Sequence, residues 1–165
     1  GSRRNVSMWE DWMAPASSLV RSSANSGRPT LGICFGHQLL CHALGAKVER
    51  AQSLSSGIWD LDFTDIGQDD ELLTSHVSGD SSVAGLFTHQ DHVTDPGEME
   101  VIAKSEHCAI VACKHPTRNI RTVQYHPEAT SKVIAKAIEV GDMTKKEAEV
   151  FDMSNHLISL KDALL

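Results

Sequence analysis

Pro29-Thr30-Leu31-Gly32-Ile33-Cys34-Phe35-Gly36-His37-Gln38-Leu39-Leu40 reads as a short apolar strand that stops at a cysteine and restarts at once as a helix. Gly32-x-Cys34-x-Gly36 has the form of a nucleophile elbow, a strained strand-to-helix turn that lifts one side chain clear of the sheet edge. Both glycines are expected to make room, because neighbouring chain must pass close to so tight a turn. A thiol at this place sits at a helix N-terminus, where unpaired N–H groups and the positive end of the dipole favour thiolate. The same N–H groups, above all that of Phe35, can receive the charge of a tetrahedral oxyanion. Taken alone, the pattern equally fits a buried structural cysteine between two turn glycines, so partners elsewhere in the chain must break the tie.

Working outward, Gly36 to Leu44 is predicted to be the helix that follows the elbow, with Leu39, Leu40, Ala43 and Leu44 on its buried side and Gly45 as its stop. Before the elbow, Pro15 suits the first turn of a short helix within Val6 to Ala24, and Ser22 to Gly27 reads as a polar linker. After it, Trp59, Leu61 and Phe63 alternate with Asp60 and Asp62 in the period of a strand with one wet face. Residues 65 to 82 are acidic and rich in Ser, Gly and Asp, which predicts a mobile excursion with one helical turn around Leu72-Leu73. Further strands are expected at Val83 to Phe87, Glu100 to Lys104, Ala109 to Cys113 and Ile120 to Tyr125. From Ser131 the pattern turns helical until Gly141, and Thr144-Lys145-Lys146-Glu147 has the form of a capping box opening a last helix with Phe151, Leu157, Ile158 and Leu164. Strand, elbow, helix, more strands and terminal helices add up to an α/β layered domain, whose sites lie beyond the carboxyl ends of strands.

Composition excludes several classes of function. At 165 residues, 41% hydrophobic, the chain is expected to form one domain, residues 1–165, with a core that needs no staples. A formal net charge of −7, with no Lys/Arg run or basic stripe, argues against a nucleic-acid surface. No apolar run approaches the roughly 20 residues that cross a bilayer, so a soluble, cytoplasmic protein is the expectation. Cysteines 34, 41, 108 and 113 show no tight paired spacing, which suits a reducing compartment better than a disulfide framework.

A cysteine nucleophile needs a base to hold and return a proton, and the base works best when a third group orients it. Thr122-Val123-Gln124-Tyr125-His126-Pro127-Glu128 offers both: His126 ends a predicted strand, and Glu128 can turn back to accept the imidazole N–H. An isolated His-Pro-Glu is more often a surface turn, but beside a cysteine elbow at another strand end it becomes a candidate dyad. Together, Gly32-Ile33-Cys34-Phe35-Gly36-His37-Gln38, Thr88-His89-Gln90-Asp91-His92-Val93 and Gln124-Tyr125-His126-Pro127-Glu128 resemble the class I (triad) glutamine amidotransferases, especially stand-alone forms like the glutaminase domain of GMP synthase.

That resemblance implies a mostly parallel central sheet flanked by helices, flavodoxin-like, with the first strands absent, and therefore an N-terminally incomplete domain. It implies Cys34 as nucleophile, His126 as acid and base, and Glu128 as its orienter, with no cofactor and no metal. Phe35 would give one oxyanion amide. Gly1 stands where the glycine loop that supplies the second would end. Gln38, Thr88 and His89 would hold the amino-acid end of the substrate, glutamine or a γ-glutamyl peptide, and a synthetase or acceptor protein is the implied partner. A rival of another class is a non-catalytic regulatory or binding subunit that keeps the triad by descent. Grouping His89 and His92 with Cys108 and Cys113 as a zinc site matches no tight ligand spacing. His37, Cys41, Cys108 and Cys113 are expected to be packing residues, and Trp9 and Trp12 core or partner-surface residues.

Overall fold

The computed structural model describes residue 2 and residues 4–74, 83–141 and 144–149. The chain begins with α1 (Met13–Asn25), β1 (Thr30–Ile33) and α2 (Phe35–Ala43). Pro15 falls in the first turn of α1, as its missing N–H allows. The helix runs to Asn25 rather than giving way to a linker at Ser22, because Ser26 N–H still finds the carbonyls of Ser22 and Ser23 before Gly27 turns the chain at φ 74°. Gly45, at φ 88°, closes the elbow helix where the sequence places its stop.

Two strands follow, β2 (Lys47–Asp60) and β3 (Asp62–Phe63), and they belong to different sheets. The alternating Trp59 to Phe63 stretch is therefore broken at Leu61, whose N–H goes to Val83 O at 2.7 Å while its side chain is buried. Residues 65–74 fold into α3 (Asp65–Gln68) and α4 (Glu71–Thr74), where one helical turn was expected, and residues 75–82 lie outside the described part. Thr64 caps α3 by accepting from Gly67 N–H at 3.2 Å. Between the two short helices, the buried Asp70 carboxylate accepts from Arg121 Nε at 3.0 and 2.9 Å and so ties the excursion to the sheet.

The remaining strands are β4 (Ala84–Asp95), β5 (Glu100–Ser105), β6 (Cys108–Lys114) and β7 (Ile120–Val123), followed by α5 (Ser131–Glu139) and α6 (Lys145–Glu149). Five strands form a central sheet in the order β1-β7-β6-β5-β3, while β2 and β4 pair separately as an antiparallel ribbon. The α/β class and the sheet flanked by helices agree with the sequence reading, but its mostly parallel pairing does not hold for the described strands. Only β1 and β7 run parallel; β7-β6, β6-β5 and β5-β3 are antiparallel. Connection length explains it: Ser105 to Cys108 and Lys114 to Ile120 are short reversals, and a parallel neighbour needs a crossover of a dozen residues or more.

Apolar clusters cover both faces of this sheet. On one, Phe87 of the ribbon packs with Ile102, Val111, Val123 and Tyr125. On the other, Leu40 and Cys41 of α2 and Leu44, which caps it, meet Ile110, Cys113 and Ile120. Burying a side chain the size of Phe87 contributes about 1.5–3 kcal/mol. The two clusters thus clamp the strand ends that carry Cys34 and His126. Thr130 caps α5 from Val133 N–H, and Gly141 ends it at φ 77°. The α6 residues begin the expected last helix, but Phe151, Leu157, Ile158 and Leu164 lie outside the described residues. Among the described residues, no helix is long and apolar enough to cross a membrane.

Candidate active site

Cys34 has φ 50° and ψ −105°, and among the described residues it is the only one other than glycine with positive φ. Such a conformation costs about 1–3 kcal/mol and persists only where the surroundings over-determine it. Here they do: Cys34 N–H extends the parallel ladder to Val123 O at 2.8 Å, and one residue later α2 begins. Gly32 is required by the turn, since a Cβ there would lie 2.7 Å from Gly36 O and 2.9 Å from its carbonyl carbon. Gly36 is not required in the same way. A Cβ on it would meet nothing within 4 Å, so only half of the expected steric argument holds. The first helical bond runs from Gln38 N–H to Cys34 O at 3.1 Å, so the N–H of Phe35 stands ahead of the intrahelical ladder.

His126 and Glu128 follow β7. Imidazole Nδ1 and Glu128 Oε1 are 2.8 Å apart, which fixes the ring against a half-buried carboxylate. Two carbonyls of β4 bring this pair to the cysteine. Leu86 O accepts from His126 N–H at 2.8 Å, and Thr88 O accepts from the Cys34 thiol at 3.8 Å. Carbonyls two residues apart on a strand point the same way and lie about 6.6 Å apart, so one edge of β4 holds both groups at a common rim. The Cys34 sulfur acts on His126 without being aligned as a hydrogen-bond partner of Nε2, which is buried and has none. Burial opposes a charge on His126, but the sulfur and the carboxylate more than offset it and raise its pKa to about 9. Burial likewise works against the Glu128 carboxylate, and the bond to His126 overcomes it and holds the carboxyl below its usual value.

The other residues singled out from sequence differ in whether they touch this rim. Gln38 is buried under the elbow, where its amide nitrogen donates to Asp91 O at 3.0 Å and Gln124 Oε1 at 3.1 Å. Thr88 meets Cys34 through its backbone carbonyl. His89 is buried, with Nδ1 2.9 Å from Asp91 O and Nε2 without a partner. Gly1 lies outside the described residues. Trp12 stacks on Phe35 with centroids 5.7 Å apart, and Trp9 sits 5.0 Å from His42, so both tryptophans cover the outside of the elbow helix and stay partly exposed. The four cysteines are buried free thiols. His89, His92, Cys108 and Cys113 do not assemble as a group, because Cys108 packs in one core cluster and Cys113 in the other.

Sequence reading put Asp91 in a motif without giving it a role, and it holds the site's surroundings together. Its buried carboxylate accepts from Ser7 N–H and Ser7 Oγ, each at 2.7 Å, while its carbonyl takes Gln38. One aspartate thereby joins the N-terminal stretch, α2 and β4. The available signal was an Asp on the buried phase of β4, in step with Phe87, His89 and Val93, a place that demands partners.

Comparison with known proteins agrees with this geometry. Residues 9–140 match the family described as glutamine amidotransferase class-I. Over 124 residues the chain is 34% identical to one subunit of the glutamine-hydrolyzing GMP synthase of Methanococcus vannielii, covering 70% of this chain and 58% of that protein. Over 103 residues it is 37% identical to the glutamine-hydrolyzing GMP synthase of Clostridium kluyveri, covering 62% of this chain and 19% of the relative. The chain therefore spans little more than half of the first relative and a fifth of the second. Among solved structures, a glutamine amidotransferase from Methylobacillus flagellatus has a similar fold, with TM-score 0.71 and 20% identity over 99% of this chain and 64% of that one. A glutamine amidotransferase from Thermotoga maritima gives TM-score 0.68 and 20% identity over 92% of this chain and 61% of its own. With a cysteine elbow, a His-Glu pair at the neighbouring strand end and a family match over most of its length, the chain belongs to the class I glutamine amidotransferases.

Proposed function

We propose that this chain hydrolyses the side-chain amide of glutamine through a γ-glutamyl thioester on Cys34. The observation that carries the reading is the pair of β4 carbonyls, Leu86 O and Thr88 O, that anchor His126 and Cys34 side by side. In the first half-reaction Cys34, as the thiolate of a thiolate–imidazolium pair, adds to the amide carbon, and the oxyanion that forms turns toward the Phe35 N–H. With a pKa raised to about 9, His126 is an imidazolium at neutral pH and gives its Nε2 proton to the departing ammonia. The ring, now neutral, takes a proton from water as that water attacks the thioester; the C–S bond breaks, glutamate leaves, and the Cys34 thiolate and the His126 imidazolium are restored. Glu128 keeps Nδ1 protonated throughout, so that Nε2 is the nitrogen that exchanges protons. Thr88 O lies against Cys34, while Gln38 and His89 are buried and would act on the amino-acid end of the substrate only by supporting that rim from behind. Relatives named as GMP synthase suggest that the ammonia passes to a synthetase, either a partner chain or a further part of the same protein.

Ammonia release from glutamine, measured beside amine release from a γ-glutamyl peptide, tests the reading. Hydrolysis of glutamine that disappears in Cys34→Ala is the expected result. Release from the peptide alone would move the activity to γ-glutamyl peptides. Silence on both, with Cys34 unlabelled by a glutamine-like electrophile in folded protein, would make the chain a binding subunit.

A further inference from the structure

Behind the elbow, on the face of α2 turned to the sheet, lies a second cluster of donors that the hydrolysis does not use. His37 and Cys41 are four residues apart on α2 and share one face, and Cys113 approaches from β6. All three are completely buried, and one ligand atom from each lies within 4.8 Å of the others. The Cys41 sulfur is 3.7 Å from His37 Nδ1. Donors sharing a tetrahedral zinc ion, with Zn–S about 2.3 Å and Zn–N about 2.0–2.1 Å, stand about 3.5–3.8 Å apart. Thr122 Oγ1 adds a hydroxyl 2.9 Å from the same nitrogen and 3.6 Å from the same sulfur. These polar groups sit among Leu40, Leu44, Ile110 and Ile120, where packing alone calls for hydrocarbon.

We propose that His37, Cys41 and Cys113 form a structural zinc site that pins the elbow helix to β6. Thiolate and imidazole donors select a soft or borderline cation over magnesium or calcium. Charge then favours zinc over copper(I): two thiolates and a neutral imidazole are neutralised by a dication, whereas a monocation leaves a net charge in a site that water does not reach. Because His37 and Cys41 share a helix whose first residue follows Cys34, the ion would stiffen the base on which the nucleophile stands. His37 and Cys41 are readable in the sequence as a His-x-x-x-Cys pair on one helix face, but their third member is 72 positions away from Cys41 and only folding brings it in.

Metal analysis decides the matter without reference to activity. The chain is unfolded in chelator and reductant, then refolded with zinc, cobalt(II) or copper(I). One zinc ion per chain retained through gel filtration, a higher thermal midpoint than without metal, and thiolate-to-cobalt charge-transfer absorption are expected. Cys41→Ser and Cys113→Ser should each lose the metal, and Cys108→Ser should keep it. Should both serine variants fail to fold, the cobalt spectrum of the unaltered chain decides, and its absence overturns the proposal. Retention of zinc by folded Cys41→Ser or Cys113→Ser, binding of copper(I) but not zinc, or a Cys41–Cys113 disulfide in place of metal under the same conditions would also overturn it.

Discussion

His126 and the trio of His89, His92 and His107 are buried or half-buried imidazoles near the same ribbon, and they are driven to opposite charge states. His126 has a carboxylate 2.8 Å from Nδ1 and a sulfur nearby, and its pKa rises to about 9. The trio packs ring against ring, His89 to His92 at 4.7 Å and His89 to His107 at 5.6 Å, with His107 stacked 4.1 Å from Trp59. Burial pushes His89 down to about 3 and His107 to about 4, and lowers His92 as well. Desolvation alone discharges a histidine. Only a fixed anionic partner keeps one charged at the same depth, and that partner separates a group able to deliver a proton from groups that serve as flat, neutral packing surfaces.

Removing the reactive groups gives the largest expected effect. Cys34→Ala and His126→Ala should each reduce glutamine hydrolysis by at least about 10⁴-fold in a steady-state assay, whereas His107→Phe should leave it within a few-fold. Comparable losses in His107→Phe would erase the distinction between the two groups. Next comes Glu128→Gln, which presents an amide to Nδ1 and favours the wrong tautomer. Turnover should fall about 10³–10⁴-fold, and the His126 midpoint followed by NMR should move down from about 9.

Stability against pH sharpens the same contrast with opposite signs. The folded-state pKa of His126 lies above its unfolded value of about 6.5, so its contribution is full below that value and is lost as pH rises through about 9. For His89 and His107 the folded values lie below it. Their contribution is full above about 6.5 and is lost as pH falls towards about 3 for His89 and about 4 for His107. Urea midpoints across pH should therefore decline at both ends. Glu128→Gln should weaken the alkaline decline and His107→Phe the acid one; an acid limb unaltered by His107→Phe would remove the trio from the account.

The smallest effects separate the two elbow glycines. Gly32→Ala forces a methyl against Gly36 O and should cost about 1–3 kcal/mol in chemical denaturation. Gly36→Ala, with open space around its Cβ, should be neutral or gain up to about 1 kcal/mol from helix propensity.

How much of this was legible before folding depended on the range of each interaction. The elbow was readable because Gly32, Cys34 and Gly36 are neighbours in sequence and the turn's demands are local, and Gly45 and Gly141 mark helix ends for the same reason. His126 with Glu128 could be read as a pair, since two residues separate partners that meet at 2.8 Å. The ribbon could not. Residues 47–55 show no clean alternation, because β2 is mostly exposed and its register against β4 shifts between Arg50 and Ser55. Splitting the Trp59–Phe63 stretch between two sheets was hidden as well, since Leu61 obeys a contact with Val83 rather than the periodicity of its neighbours. Asp91 looked like one polar residue in a motif until Ser7, 84 positions earlier, supplied both of its donors.

The single strand edge that receives both the thiol and the His126 amide has a consequence for the order in which this chain matures. Elbow and proton donor arise 92 positions apart, and only the segment from Leu86 to Thr88 bonds to both and sets them side by side. The meeting of the two is therefore the last feature of the site to form: a chain with a loose ribbon would keep the elbow, held by β7 and α2, and the His126–Glu128 pair, and lack only their apposition.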